Sequence, residues 1–389
     1  AAARAAPPAV RREAYLSRRS HYLLKCPVQK YHWGSLDAES ILRRIAFKAH
    51  EAVLEDEPAA ELWMGAHPTA PSIVQPENES LASLIATEPD YFLGHGGHLS
   101  FLFKILHADR PLSIQAHPDR TLAKQLHARD AKNYPDPNHK PELAMCIQDM
   151  RALVGFRNEN EIRVELERHA ALLEICGHIE DGVRGWYAGL MRTDGERVAR
   201  AAERVRSAVS REPEEICFLD LCGIYGDRDP GIFAPFFLNY MELAHGEAIF
   251  LGPNEPHSYL GGEILECMAA SDNVVRAGLT TKYCDVDTLV SMLHYRTGPH
   301  QIVKPVQEAN GLRYPVPVND FALHKINQPI HRRGPAIVLA LKGTMEINGE
   351  IFPSGSAVFI PHGQPSTIAP ASGSEIYSCS TPEDFNPPD

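Results

Sequence analysis

Ser113-Ile114-Gln115-Ala116-His117-Pro118, with Asn138-His139-Lys140-Pro141-Glu142 a short way on, is the part of this chain from which the rest is read. The bordering sequence is strand-like. Side chains in a strand alternate with period two, so Gln115 and His117 share one face. A carboxylate nearby and a distant histidine would complete an open metal site, the pattern of a catalytic rather than a structural zinc. Glu142 supplies the carboxylate. His257, in Pro253-Asn254-Glu255-Pro256-His257-Ser258-Tyr259, supplies the imidazole from a rigid turn after a strand. Each residue alone is ordinary, and only the combination points to a metal. Glutamine is neutral, so a Gln, His, His, Glu set leaves a zinc site with net charge about +1 and Lewis acidity toward a hydroxyl or carbonyl oxygen.

Outward from this stretch, residues 102–106 predict a strand, and Leu112-Ser113-Ile114 predicts another that leads into the Gln-x-His pair. Residues 81–85 read as a short helix, and 121–128 as a helix start with Leu122 and Leu126 one turn apart. Between 157 and 211 the period lengthens. Ile162, Leu166, Leu173 and Cys176, then Val198, Ala202, Val205 and Val209, predict two amphipathic helices with charged outer faces. Strands return at 236–243 and 248–251, separated by Ala244-His245-Gly246-Glu247, a connection of hairpin length. Pro253, Pro256, Gly261 and Gly262 mark a loop-rich segment. Residues 336–341, 344–348 and 357–360, divided by Gly343, Gly349 and Gly355, predict an antiparallel sandwich. The expected class is mainly β with a helical insertion (α+β).

A net charge of -12 argues against a nucleic-acid partner, because phosphate neutralisation needs clustered Lys and Arg. A small phosphorylated substrate needs only a few local cations. No run approaches the ~20 apolar residues that span a bilayer, so no membrane role is expected. Cys26, Cys146, Cys176, Cys217, Cys222, Cys267, Cys284 and Cys379 are scattered without a Cys-x-x-Cys pair, which fits free thiols in a reducing cytosol. Residues 1–20 are Ala- and Arg-rich and read as a disordered extension, with an organelle transit peptide as the other reading. Beyond His257 lie Glu263 and Glu266, then Asp272 and Arg276, whose fork of donors suits a phosphate or a developing oxyanion.

Tyr31-His32-Trp33-Gly34, Glu61-Leu62-Trp63-Met64-Gly65-Ala66-His67-Pro68 and Pro111-Leu112-Ser113-Ile114-Gln115-Ala116-His117-Pro118 closely resemble type I mannose-6-phosphate isomerase (phosphomannose isomerase), a zinc-dependent cupin family. So do Tyr134-Pro135-Asp136-Pro137-Asn138-His139-Lys140-Pro141-Glu142 and Glu266-Cys267-Met268-Ala269-Ala270-Ser271-Asp272-Asn273 through Arg276-Ala277-Gly278-Leu279-Thr280. These motifs keep the family's order across residues 22–290. His32, where alanine is common, is a departure.

The resemblance implies one zinc per chain on Gln115, His117, Glu142 and His257, with Arg276 as the catalytic arginine. It implies a cupin-type catalytic jelly roll (21–155 and 236–300), a helical domain (156–235) and a C-terminal jelly roll (301–389). The implied reaction interconverts mannose 6-phosphate and fructose 6-phosphate through a cis-enediol, supplying mannose for GDP-mannose synthesis and glycosylation. A small sugar phosphate is the expected partner, and a monomer the expected state. Candidates for proton transfer are Asp272, Glu266, Lys140 and His139, with Arg276 and Lys140 expected to be essential. Ser113 and Lys104 are candidates for the phosphate, with Arg276 and Lys140 as contributors. Trp33 and His67 are candidates for lining the sugar pocket, whereas Leu62 and Trp63 read as core. The rival readings are another metal cupin, such as an iron dioxygenase, and a non-catalytic sugar-binding cupin. The dioxygenase usually needs His-x-His with a glutamate a few residues on. Here Gln115 replaces the first histidine and Glu142 lies far downstream.

Overall fold

The computed structural model describes residues 18–95 and 97–382. The expected disordered extension falls outside the described residues up to position 17. Arg18 and Arg19 are described, and pair with Glu88 and Glu77. Among the described residues no helix is long and apolar enough to cross a membrane.

Antiparallel β-structure dominates, as the alternating apolar runs predict, with a helical insertion between two β-rich parts. Phe101–Ala108, Glu142–Phe156 and His257–Ala269 are the long neighbours at the centre of a ten-stranded sheet, with Glu61–Met64 beside the first. Their two faces separate cleanly. Leu62, Ile105, Leu265 and Met145 stand in cross-strand register and are buried against Ile337, Leu339, Phe359 and Cys379 of a second, nine-stranded sheet. The alternate row, Trp63, Lys104 and Glu266, faces the other way and lines a cavity. The second sheet is not confined to residues 301–389. It takes in Tyr22–Lys25, Ile73–Gln75 and Glu79–Ser80.

Three local readings are corrected. The segment with Gly261 and Gly262 is not a loop but part of the strand His257–Ala269, interrupted by irregular register against Glu142–Phe156. Gly262 has φ +104, and a Cβ there would meet the Asp149 carbonyl oxygen at 2.5 Å, so the pair marks a bulge inside a strand. Leu238–Leu243 and Ala248–Leu251 are not partners in a hairpin. Both pair with Glu142–Phe156, the first with its distal half and the second with its start.

The helical insertion holds five α-helices rather than two: Glu159–Arg168, Ala170–Cys176, Gly182–Arg192, Gly195–Arg206 and Pro213–Tyr225. The run from Ile162 to Cys176 breaks at His169, and Val209 lies beyond the helix that carries Val198 to Val205. Gly182–Arg192 and Pro213–Tyr225 were hidden by glycines and by an apolar surface with little one-sided character.

The helices share one core with Ile114, Ala116, Val275 and Ala277 of two short paired strands, Ile114–Ala116 and Val275–Gly278. Because the period is two, their alternates Gln115 and Arg276 are turned toward the cavity.

Candidate metal and sugar site

The prolines around the site shape it. Pro135, Pro137 and Pro141 cannot donate to a ladder, so residues 134–141 run as a loop and the strand opens at Glu142. Asn254 adopts φ 61 in the turn that precedes His257, the first residue of its strand. In register, Gln115 stands opposite both His257 and Arg276.

His117, Glu142 and His257 converge on one point. His117 Nε2 lies 3.3 Å from Glu142 Oε2, and His257 Nε2 lies 3.5 Å from the same oxygen. Each histidine donates its other ring proton to a carbonyl. His117 Nδ1 donates to Asn273 O at 2.8 Å, and His257 Nδ1 to Glu255 O at 3.1 Å. A carbonyl can only accept, so both Nε2 atoms carry lone pairs turned inward.

Those two nitrogens and Glu142 Oε2 are buried without a hydrogen-bond partner among the described residues. Leaving such atoms unmatched costs about 1–3 kcal/mol each, and a cation between them removes the penalty. Zinc bonds of ~2.0–2.2 Å fit donors spaced as these are. Burial drives the His117 imidazole down to about 4, which keeps it neutral. Burial opposes the Glu142 charge, but its cationic neighbour Lys140 helps hold its carboxyl well below the usual range. The donor set therefore fits a zinc ion, with Gln115 on the cavity wall beside it.

Asp136 holds this geometry from behind. It accepts from Ser271 Oγ and from the Asp272 backbone, each at 2.8 Å, and from Asn273 Nδ2 at 3.1 Å. The Asn273 carbonyl in turn orients His117. Asp136→Ala is expected to weaken zinc binding about 10–100-fold, as loss of a ligand's outer support does. Zinc titration of metal-depleted protein checks this, and unchanged affinity would refute the positioning role.

Lys104, expected at the phosphate, is instead buried in the wall, 2.9 Å from Glu266 and 3.3 Å from Glu61. Burial alone would lower its pKa, but those carboxylates hold it above the usual lysine range. Its charge is already matched there. Glu266 accepts from Tyr259 Oη at 2.8 Å and from Lys104. Burial raises the Glu266 carboxyl, and Glu142 and Glu61 add to the rise against the pull of Lys104. Lys140 Nζ stands 3.2 Å from Glu142 Oε1. Trp33, Ser113 and Asp272 line the cavity, and His67 sits behind Asp272 at 3.5 Å.

His139 is corrected out of the cavity. It is buried and bonds Asp320 at 2.9 Å. Trp63, read as core beside Leu62, lines the cavity with Lys104 over its ring.

Glu61, Tyr259, Asp136 and Lys282 were missed. Glu61 was findable because it shares a strand face with Trp63, whereas nothing local singled out the others. Arg276 and Lys282 both line the cavity, and neither has a carboxylate ion partner among the described residues. Burial lowers both of their pKa values, and Arg276 adds to the effect on Lys282.

The family model for the catalytic domain of type I phosphomannose isomerase matches residues 22–159. A mannose-6-phosphate isomerase of Schizosaccharomyces pombe is 35% identical, over 90% of this chain and 97% of its own. One from Saccharomyces cerevisiae is 36% identical, over 90% and 94%. A crystal structure of a mannose 6-phosphate isomerase bound with zinc and yttrium superposes with a TM-score of 0.83 at 31% identity, covering 93% of this chain and 100% of that one.

Proposed function

The chain belongs to the type I phosphomannose isomerase family, and from that membership we propose that it interconverts D-mannose 6-phosphate and D-fructose 6-phosphate, with one zinc ion per chain. The observation that carries this reading is the convergence of three buried, unmatched ligand atoms on a cavity that also holds cations without carboxylate partners. Gln115, His117, Glu142 and His257 hold the metal. When bound, zinc supplies Lewis acidity toward the sugar oxygens.

The rest falls to side chains. The proton on C2 must leave and return on C1. Glu266 is the carboxyl tuned upward by burial in the cavity wall, which suits a base that takes a proton and gives it back. Arg276 meets the negative oxygen of the enediol intermediate. Its charge is not absorbed by a carboxylate, so it stays available when charge develops. Lys140, beside Glu142, orients the sugar oxygens. Lys282 and Ser113 take the phosphate, with Trp33 and Asp272 along the sugar.

Lys282→Ala is expected to raise KM for mannose 6-phosphate about 10–100-fold with a smaller effect on kcat, the worth of one charged hydrogen bond. A KM within twofold would remove Lys282 from the phosphate site. Glu266→Gln is expected to abolish loss of deuterium from C2 of the substrate while binding persists. Loss only in Asp272→Asn would move the base there.

The overall reading is tested by a coupled assay for fructose 6-phosphate, run before chelation, after it, and after zinc is restored. No product from metal-replete enzyme would overturn it. We further propose a cytosolic monomer. Support for the compartment comes from cysteines that are all unpaired, seven of them buried. Sedimentation at twice the chain mass would overturn the monomer.

A further inference from the structure

Away from the cavity, the helical insertion contains a second, slightly wider set of ligand atoms. Glu165 belongs to the helix Glu159–Arg168, His169 joins that helix to Ala170–Cys176, and Glu215 lies in the first turn of Pro213–Tyr225. His169 Nε2 is 3.4 Å from Glu215 Oε1 and 3.8 Å from Glu165 Oε2. At the catalytic cluster the equivalent separations are 3.3 and 3.5 Å. Ligands at ~2.0–2.2 Å from a tetrahedral ion lie about 3.3–3.6 Å apart. The side chains of His169 and Glu215 are 0% and 1% exposed. His169 Nε2, Glu215 Oε1 and Glu165 Oε2 have no hydrogen-bond partner among the described residues. Three buried ligand atoms, from two helices and the junction His169, thus face one point.

Glu215 is held for this role. Its other oxygen accepts from the Ser210 backbone at 2.6 Å, from Ser210 Oγ at 2.9 Å and from the Glu212 backbone at 3.1 Å, which leaves Oε1 aimed at His169. The alternative, an imidazolium paired with two carboxylates, fits less well. At 3.4 and 3.8 Å, an Nε2 proton would reach neither oxygen in good hydrogen-bond geometry. Arg168, 43% exposed, hangs over the cluster with Nη1 3.6 Å from Glu165 and 3.7 Å from Glu215, and competes for the same oxygens.

We propose that Glu165, His169 and Glu215 bind a divalent transition-metal ion of the zinc or cobalt class, a second metal site that ties three helices together. Two carboxylates and one neutral imidazole balance the ion's charge, and the Arg168 edge gives it access to solvent. This site is independent of the isomerase reading.

The test uses the full chain, stripped of metal and titrated with zinc or cobalt(II), with bound metal counted by elemental analysis. Two ions per chain are expected in the wild type. One is expected in His169→Gln, with isomerase activity retained. In Glu142→Gln one ion is also expected, and none when Glu142→Gln and His169→Gln are combined. Arg168→Ala should tighten the second ion. Glu165→Gln, at the edge of the cluster, gives the same stoichiometric readout if His169→Gln does not fold. A single ion in saturated wild type, or two ions retained in Glu165→Gln or His169→Gln, would overturn the proposal. So would nitrogen chemical shifts that show His169 as an imidazolium in zinc-saturated protein.

Discussion

Arg276→Ala is expected to lower kcat about 10²–10³-fold while zinc content stays at the wild-type level, the loss that follows removal of one preorganised donor to a developing oxyanion. The argument is geometric. Arg276 sits on the strand Val275–Gly278, whose alternate residues Val275 and Ala277 are fixed in the helical core, so its side chain is presented to the cavity. The Asp285 backbone donates to the Arg276 carbonyl at 3.0 Å and pins the position. Burial lowers the guanidinium pKa without a neighbouring carboxylate to offset it. A half-buried cation without a carboxylate partner is worth most where negative charge appears during the reaction. Arg276→Lys should recover only part of the rate, because an ammonium lacks the planar fork. Steady-state kinetics with parallel metal analysis decide this, and a kcat within about fivefold of wild type would exclude Arg276 from charge stabilisation.

Glu142→Gln is expected to cost more. The substitution keeps the shape and removes the single anionic ligand, so zinc affinity should fall by more than the ~10–100-fold that outer positioning groups are worth, and activity should fall to background. The change also leaves Lys140 without its partner at 3.2 Å. High zinc should restore activity only in proportion to the metal bound. A variant that binds zinc normally yet is inactive would instead assign Glu142 to the chemistry, and a fully active variant without zinc would remove the metal from the reaction.

One half of the candidate ligand set was legible from a short-range rule. The shared face of Gln115 and His117 follows from the strand period, whereas Glu142, ordinary in its Lys-Pro-Glu setting, and His257 joined them only in combination and through the family resemblance. Arg276 was singled out by the resemblance, and alternation beside Val275 and Ala277 turns it toward the cavity in the structure. The class of fold was legible for the same reason, since apolar alternation and its lengthening after residue 157 are local signals. His139, Lys104 and Trp63 were misplaced because their partners are remote. Asp320 draws His139 out of the cavity, Glu61 and Glu266 hold Lys104 in the wall, and the Lys104 cation over Trp63 turns an apparent core residue into cavity lining.

By itself, then, the sequence determined that Gln115 and His117 share a strand face and offered Glu142 and His257 as ligating residue types, because backbone periodicity acts over a few residues. Tertiary structure alone decided which charges are spent and which remain available. Ion pairing, bulges such as that at Gly262, and the joint pairing of Leu238–Leu243 and Ala248–Leu251 with one strand arise between segments far apart in the chain. Burial then multiplies the effect of each such meeting, since in a low-dielectric interior a neighbour a few ångströms away sets whether a lysine is a wall or a clamp.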